Sequence, residues 1–311
     1  ISVINKKEGA SCITTHLLFL KNRDMRFIKM TGGLGNQMFI YAFYMRMKKH
    51  YSNTRIDLSD MVHYKAHNGY EMHRVFNLPP IEFRINQPLK KVIEFLFFKK
   101  IYERKQVPSS LVPYDKKYFW PLLYFKGFYQ SERFFADMAD DIRKAFTFNL
   151  RLSNKKTKEM SEQIDHDENA VSIHVRRGDY LEPKYWKTTG CVCQLPYYLN
   201  AIAEMNKRIS QPSYYVFSDD IAWVKENLPL PKAFFIDWNK GAESWQDMML
   251  MSRCRHHIIC NSTFSWWGAW LNPRENKTVI MPERWFRHCE TPDICPDKWI
   301  KVPINQPDSI Q

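Results

Sequence analysis

AVSIHVRRGDY, residues Ala170 to Tyr180, sets an apolar strand directly in front of a dense polar turn. Val171, Ile173 and Val175 alternate with Ser172 and His174 at the two-residue period of a strand, and the run breaks at Arg176, Arg177, Gly178 and Asp179. Strand ends of this kind are where open α/β sheets bind ligands. An arginine grips phosphate oxygens at two points with its planar fork and keeps its charge at neutral pH. Gly178 permits a turn that other residues resist, and Asp179 can orient an arginine or accept a proton. The bland alternative is a strand end closed by a solvated ion pair.

Downstream, the pattern predicts strands over 170–176, 213–218, 233–237, 256–260 and 278–281, with helices over 196–209, 220–228, 244–253 and 263–271. Such alternation argues for a parallel sheet wrapped by helices. Right-handed crossovers then place all the strand C-termini on one edge. Three of these ends carry polar chemistry: HVRRGDY, FSDD (Phe217 to Asp220) and CNSTFSWWGAW (Cys260 to Trp270). In the last, Asn261, Ser262, Thr263 and Ser265 lie between a strand and a helix, where hydroxyls and backbone N–H groups can surround a phosphate; an ordinary helix cap is the alternative. Trp266, Trp267 and Trp270 read as packing residues.

Upstream, RFIKM is a first strand that runs into TGGLGNQMFIYAFYMRM, a glycine-rich turn with a long apolar helix starting near Asn36 or Gln37. Gly32, Gly33 and Gly35 let backbone approach a ligand, and a helix N-terminus favours anions. Residues 54–59 read as a second strand, and YEMHRVFNL (Tyr70 to Leu78) as a short helix or turn in which Glu71 and His73 are substrate contacts or surface residues. YFKGFYQSERFF (Tyr124 to Phe135) reads as strand, turn and a helix capped by Ser131; its aromatics, Tyr129 among them, with Gln130 suit a sugar, or else form core. A further helix is expected over 136–148, and the polar stretch 149–169 is where a domain boundary is expected. The divisions are thus 1–24 as an upstream extension, 25–155 as an N-terminal domain and 156–311 as a C-terminal one.

With 311 residues, 44% hydrophobic and 15% aromatic, the chain can bury a substantial core and is long enough for two domains. Seven cysteines make an odd set without the spacing of a disulfide scaffold, so reduced thiols in the cytosol are the simpler account. Cys191 and Cys193 have no second pair at zinc-like spacing. Neighbouring His256 and His257 point to opposite faces of a strand, which favours structural roles. No D-x-D element suits a divalent cation under a diphosphate: Asp219 and Asp220 are adjacent, and Asp165 and Asp167 sit in the polar stretch. A net charge of +13 must attract something, whether nucleic acid, anionic lipid or a phosphate-bearing substrate. No RNA-binding or zinc-finger pattern accompanies it, so nucleic acid is not expected as a partner. No apolar run is long enough to span a bilayer. The basic stretch 89–105 would suit peripheral membrane contact or a helix packed on its own domain.

HVRRGDY, GGLGNQMF, the YEM-type turn, GFYQSE, the Asp247-MMLMS run and NSTFSWWGAWLN together resemble the family-11 α-1,2-fucosyltransferases, over about Met25 to Pro282. The resemblance implies a GT-B-like α/β fold, two Rossmann-like domains facing a cleft, with the donor GDP-fucose held by a parallel sheet in the C-terminal domain. It implies Gly33 and Asn36 lining the cleft, and inverting transfer of fucose to the 2-hydroxyl of a terminal galactose. The acceptor is then a galactose-terminated oligosaccharide or lipid-linked glycan, contacted by Tyr129 and Gln130. Arg176, helped by Ser262 and Thr263, is expected to stabilise the departing diphosphate, with no metal or other cofactor needed. Asp219 would read the N1 and N2 edge of guanine, or simply cap the next helix. His174 is expected to orient the diphosphate or the base, and Asp179 and Glu71 are the candidates for general base. Another linkage, α-1,6, is the alternative within enzymes, because that class shares the H-x-R-R pattern. A basic non-catalytic protein binding nucleic acid or membrane is the alternative outside them. The expected location is cytoplasmic, peripheral at the inner membrane face if the basic stretch engages lipid.

Overall fold

The computed structural model describes residues 26–64, 67–81, 84, 85, 88, 91, 124–186, 189–288 and 292–304. The first 24 residues, and almost all of the basic stretch 89–105, lie outside them. The chain opens with β1 (Arg26–Lys29), α1 (Leu34–His50) and β2 (Thr54–Asp57), followed by the single-turn α2 (Met72–Val75) and the short β3 (Tyr124–Phe125). These strands form a parallel sheet in the order β2-β1-β3. Helix α1 is buried on all sides through most of its length, from Leu34 to Phe43, which marks an interior helix. Its polar end is confined to Lys48, Lys49 and His50, basic residues that suit a helix C-terminus.

After α3 (Ala139–Ala145) and α4 (Lys155–His166), a second sheet takes over. Its elements are β4 (Ala170–Val175), α5 (Pro183–Trp186), α6 (Leu195–Arg208), β5 (Ser213–Ser218), α7 (Ile221–Asn227), β6 (Ala233–Ile236), α8 (Trp245–Arg253), β7 (His256–Ile258), α9 (Thr263–Leu271), β8 (Val279–Pro282) and β9 (Ile300–Val302). The sheet order is β6-β5-β4-β7-β8-β9, parallel throughout. Strand β4 is buried along its whole length, as a central strand covered by helices on both faces must be. Two parallel α/β units facing a cleft is the GT-B-like arrangement expected from the sequence.

Helix α9 joins the units. Phe39 of α1 packs with ring centroids 4.5 Å from Trp266 and 4.8 Å from Trp267. Each indole N–H also finds an acceptor: Trp266 donates to Ile294 O at 2.7 Å, Trp267 to Gly35 O at 2.9 Å and Trp270 to Glu132 Oε2 at 2.9 Å. Buried Trp needs such partners, and here they belong to segments far apart in the chain. The packing role expected for all three holds.

Three elements differ from expectation. The polar stretch 149–169 contains α4, capped by Asn154, whose side chain accepts from Thr157 N–H at 2.9 Å. Only Thr157 and Ile164 of this helix are buried, so its apolar stripe is thin; it is held to α8 through the Arg253–Asp165 ion pair and an Asn154 N–H to Gln246 bond. The helix expected over 136–148 begins as a 3-10 turn, Ala136–Met138, and becomes α-helical only from Ala139. Strand β9 had no expectation; it extends the sheet edge beside β8.

Candidate active site

The chain leaves β4 toward β5 and β6 on one side, then returns across β4 to β7, so strand order reverses between β4 and β7. A crevice opens at such a switch point, outside the C-terminal strand ends. Here it is a cleft of about 940 Å³ whose lining includes residues from all three polar strand ends. Their convergence follows from the parallel sheet, because all its strands end on the same edge.

At the end of β4, two adjacent arginines take different parts. Arg176 lines the cleft, its Nε 2.9 Å and Nη2 2.8 Å from Asp179 Oδ1 and its Nη1 3.2 Å from Asp219 Oδ2. Burial works against its charge, but Asp219 and Asp179 outweigh that, so the guanidinium stays protonated. Arg177 turns away: its Nε donates to Asp220 at 3.1 Å and its guanidinium lies 4.0 Å over the Trp223 ring. Both arginines are thus ion-paired at this strand end, and Arg176 is the one that also faces the cleft.

Asp219 also lines the cleft. Its Oδ1 accepts the Arg177 backbone N–H at 2.9 Å and its Oδ2 meets Arg176, so it holds the arginine turn from within the cleft wall. It does not cap α7, the alternative set out for it; Asp220 does, accepting from Trp223 N–H at 3.1 Å. A β-carbon on Gly178 would sit 2.7 Å from Asp219 Oδ2, so a larger residue there must push that carboxylate aside.

His174 borders the cleft with little exposure, Nδ1 3.2 Å from Cys260 Sγ. Burial first, then the nearby Arg176 charge, pushes its pKa down to about 3. It is a neutral imidazole that can orient a ligand by hydrogen bonding and adds no charge. Ser262 caps α9, accepting from Phe264 N–H at 3.3 Å, and Ser262 and Thr263 both line the cleft. The cap and the cleft-facing helix end, set out as alternatives, coexist.

On the opposite wall stand Gly33, Asn36, Glu71 and Gln130. Gln130 Nε2 donates to Asn36 Oδ1 at 2.7 Å. Gln37, at the start of α1, ties the glycine turn to the Glu71 segment: its Nε2 donates to Gly32 O at 2.9 Å and Gly69 O at 2.7 Å, and its Oε1 accepts Glu71 N–H at 2.9 Å. Glu71 is buried; burial raises its pKa, and Arg74, 2.7 Å away, pulls it back. Tyr129 is a second correction. It is fully buried and stacks on Phe43 at 3.9 Å, so it supports the wall from behind and does not line the cleft.

Several lining residues had no site role in the sequence reading: His67, Tyr180, Asn239, Lys240, Asp247, noted there only as part of a family run, and Trp285. Asp247 matters most. It sits in the first turn of α8, accepts from Asn239 Nδ2 at 2.8 Å, and burial pushes its pKa up to about 7. An Asp directly before the buried run Met248 to Met251 was the available signal, because a carboxylate inside an apolar helix needs a reason. His256 and His257 are structural as expected: His257 bridges Ser172 Oγ at 2.8 Å and Asn272 Nδ2 at 2.9 Å, while His256 accepts from Thr278 N–H at 3.0 Å. Among the described residues, no helix is long and apolar enough to cross a membrane.

The family model described as glycosyl transferase family 11 matches residues 12–302. This chain belongs to that family. The family-11 chain is 32% identical over 293 residues to an α-1,2-colitosyltransferase of Escherichia coli, covering 88% of this chain and 97% of that protein. It is 31% identical over 160 residues to galactoside α-(1,2)-fucosyltransferase 1 of Ateles belzebuth, covering 49% of this chain and 43% of that one. A solved structure of the α-1,6-fucosyltransferase NodZ soaked with GDP-fucose aligns at TM-score 0.45 and 14% identity, over 83% of this chain and 95% of that one. The chain is therefore a family-11 glycosyltransferase, and this cleft is its candidate site for the transfer.

Proposed function

We propose that this family-11 glycosyltransferase moves L-fucose from GDP-β-L-fucose to the 2-hydroxyl of a terminal galactose, with inversion, giving an α-1,2-fucoside. The observation that carries the reading is the position of Arg176: a half-buried, permanently charged guanidinium facing the cleft beside the N-terminus of α9. As the C1–O bond to the β-phosphate breaks, its electron pair passes to the phosphate oxygen. Arg176 and the α9 N–H groups favour that developing charge over the ground state. The acceptor oxygen bonds to C1 from the opposite face, and its proton passes to a carboxylate.

Glu71 suits that proton transfer better than Asp179. Asp179 is held at two nitrogens of Arg176, whereas burial raises the proton affinity of Glu71. For guanine, Asp247 is a candidate beside Asp219, since a carboxylate in the cleft lining can accept from both N1–H and N2–H. Metal independence belongs to the same proposal, the arginine bearing the leaving-group charge.

A second reading of the donor, colitose in place of fucose, is favoured by the Escherichia coli colitosyltransferase that this chain matches over nearly that protein's full length. The deciding experiment offers GDP-fucose and GDP-colitose with lactose as acceptor and EDTA present, reads GDP release, and resolves the product by linkage. An α-1,2-fucosyl product is expected. Saturable GDP binding without fucosyl transfer would remove the donor or acceptor assignment. Absence of GDP binding would overturn the whole reading.

A further inference from the structure

Glu71 is joined to the other side of the cleft by two parallel ties. Arg74 places Nη2 2.7 Å from Glu71 Oε1 and Nη1 2.8 Å from Ala242 O. Asn68 Nδ2 lies 3.3 Å from the same Glu71 oxygen and 2.9 Å from Gly241 O. Both side chains therefore bond Glu71 Oε1 at one end and one of two consecutive carbonyls of the 3-10 turn Gly241–Glu243 at the other. That turn leads straight into α8 and Asp247, and Lys240, Gly241 and Ser244 beside it line the cleft.

We infer that Arg74 and Asn68 are positioning residues that set the Glu71 carboxylate according to the placement of the Gly241–Glu243 turn, coupling the nucleotide side of the cleft to the group that takes the acceptor proton. The inference rests on the reading of Glu71 as that group. The two ends of each tie differ in kind. Glu71 is buried, and its backbone is pinned separately by Gln37, so its main chain stays in place when a tie lets go. The bonds to Gly241 and Ala242 are exposed, so water can replace them at little net cost. Nothing crowds Gly241, which has φ +56° and open space around its α-carbon. When the turn is in place, the ties are stretched between two anchors and the carboxylate has one orientation.

The electrostatics run the same way. The charged and titratable groups around Glu71 are Arg74, His73 and Tyr70 beside it, His67 in the preceding loop, and Lys240, Glu243 and Asp247 across the cleft. Arg74 is the one in contact with the carboxylate. Burial raises the Glu71 pKa, while Arg74 and Asn68 lower it. Removing a tie therefore raises it further, and a base that must be ionised is then lost at a higher pH.

The test is the pH profile of kcat and kcat/KM for wild type, Glu71→Gln, Arg74→Gln, Arg74→Lys and Asn68→Ala in the GDP-release assay. Arg74→Gln is expected to lower kcat about tenfold or more and to move the acid limb to higher pH. Arg74→Lys should restore part of both, and Asn68→Ala should move the limb the same way by less. Asn68→Ala alone decides the matter if Arg74→Gln does not fold. An inactive Glu71→Gln together with an unmoved acid limb in the folded tie variants overturns the coupling. Wild-type turnover in Glu71→Gln would instead remove the base assignment beneath it.

Discussion

A β-carbon on Gly35 would lie 2.6 Å from Thr263 Oγ1 and 2.7 Å from the Thr263 carbonyl carbon. The glycine turn of the first unit thus presses directly on the helix end that faces the cleft in the second. Gly35 lines the cleft, as expected of a ligand-approaching turn, and its missing side chain also makes room for α9. Gly35→Ala is predicted to cost about 1–3 kcal/mol, because backbone cannot retreat as a side-chain end can. Thermal or denaturant unfolding reads it, and a melting temperature equal to wild type would show that the contact is slack.

In the proposed reaction Arg176 faces departing negative charge, and Asp179 and Asp219 hold it. Arg176→Ala should lower kcat/KM by about 10²–10³-fold, the usual loss on removing a preorganised charge at a developing anion. Asp219→Asn keeps the shape but weakens the hold, so its loss should be smaller. Near-normal turnover in Arg176→Ala would show that another group stabilises the leaving diphosphate.

Asp247, its pKa pushed up to about 7 by burial, should make GDP binding pH-dependent. If the ionised form accepts from guanine, affinity rises from pH 6 to pH 8, and Asp247→Asn both weakens binding and flattens the profile; titration calorimetry reads this. Stability without nucleotide has the opposite sign. The folded pKa lies above that of an unfolded aspartate, about 3.9, so the proton-bound form favours folding. That contribution is full below about pH 4 and lost as pH rises through 7. Asp247→Asn should therefore be relatively more stable than wild type at pH 8 than at pH 5.

Trp267 combines burial with its N–H bond to Gly35 O. Trp267→Phe keeps an aromatic ring but strands that carbonyl and loses volume beside Phe39, for a predicted cost of about 1–3 kcal/mol. Chemical denaturation would measure it, and an unchanged midpoint would remove α9 as a bridge between the units.

The second sheet was largely legible because its strands are apolar and separated by amphipathic helices, so that periodicity reports burial directly. The predicted strand 213–218 coincides with β5, and the predicted helix 263–271 with α9. Helix α4 was not read, because a helix with two buried residues leaves almost no apolar stripe and is held by hydrogen bonds from distant segments. At the site, Arg176, Glu71, Asn36, Gln130, Ser262 and Thr263 could be found from motif and strand end. Tyr129 could not be told from a sugar-stacking aromatic, since its partner Phe43 lies on another element.

What the sequence determined by itself was the set of polar strand ends and the single edge on which they meet, because strand direction and crossover handedness are local properties of an alternating chain. Only the tertiary structure decided the surroundings of each carboxylate. Asp219, Asp179, Glu71 and Asp247 are all acids in polar or helical contexts on paper. Their roles separate through partners many residues away and through the water each has lost, which set who is held, who is free to take a proton and whose pKa climbs. Those quantities depend on distance in space, and one-dimensional spacing does not contain them.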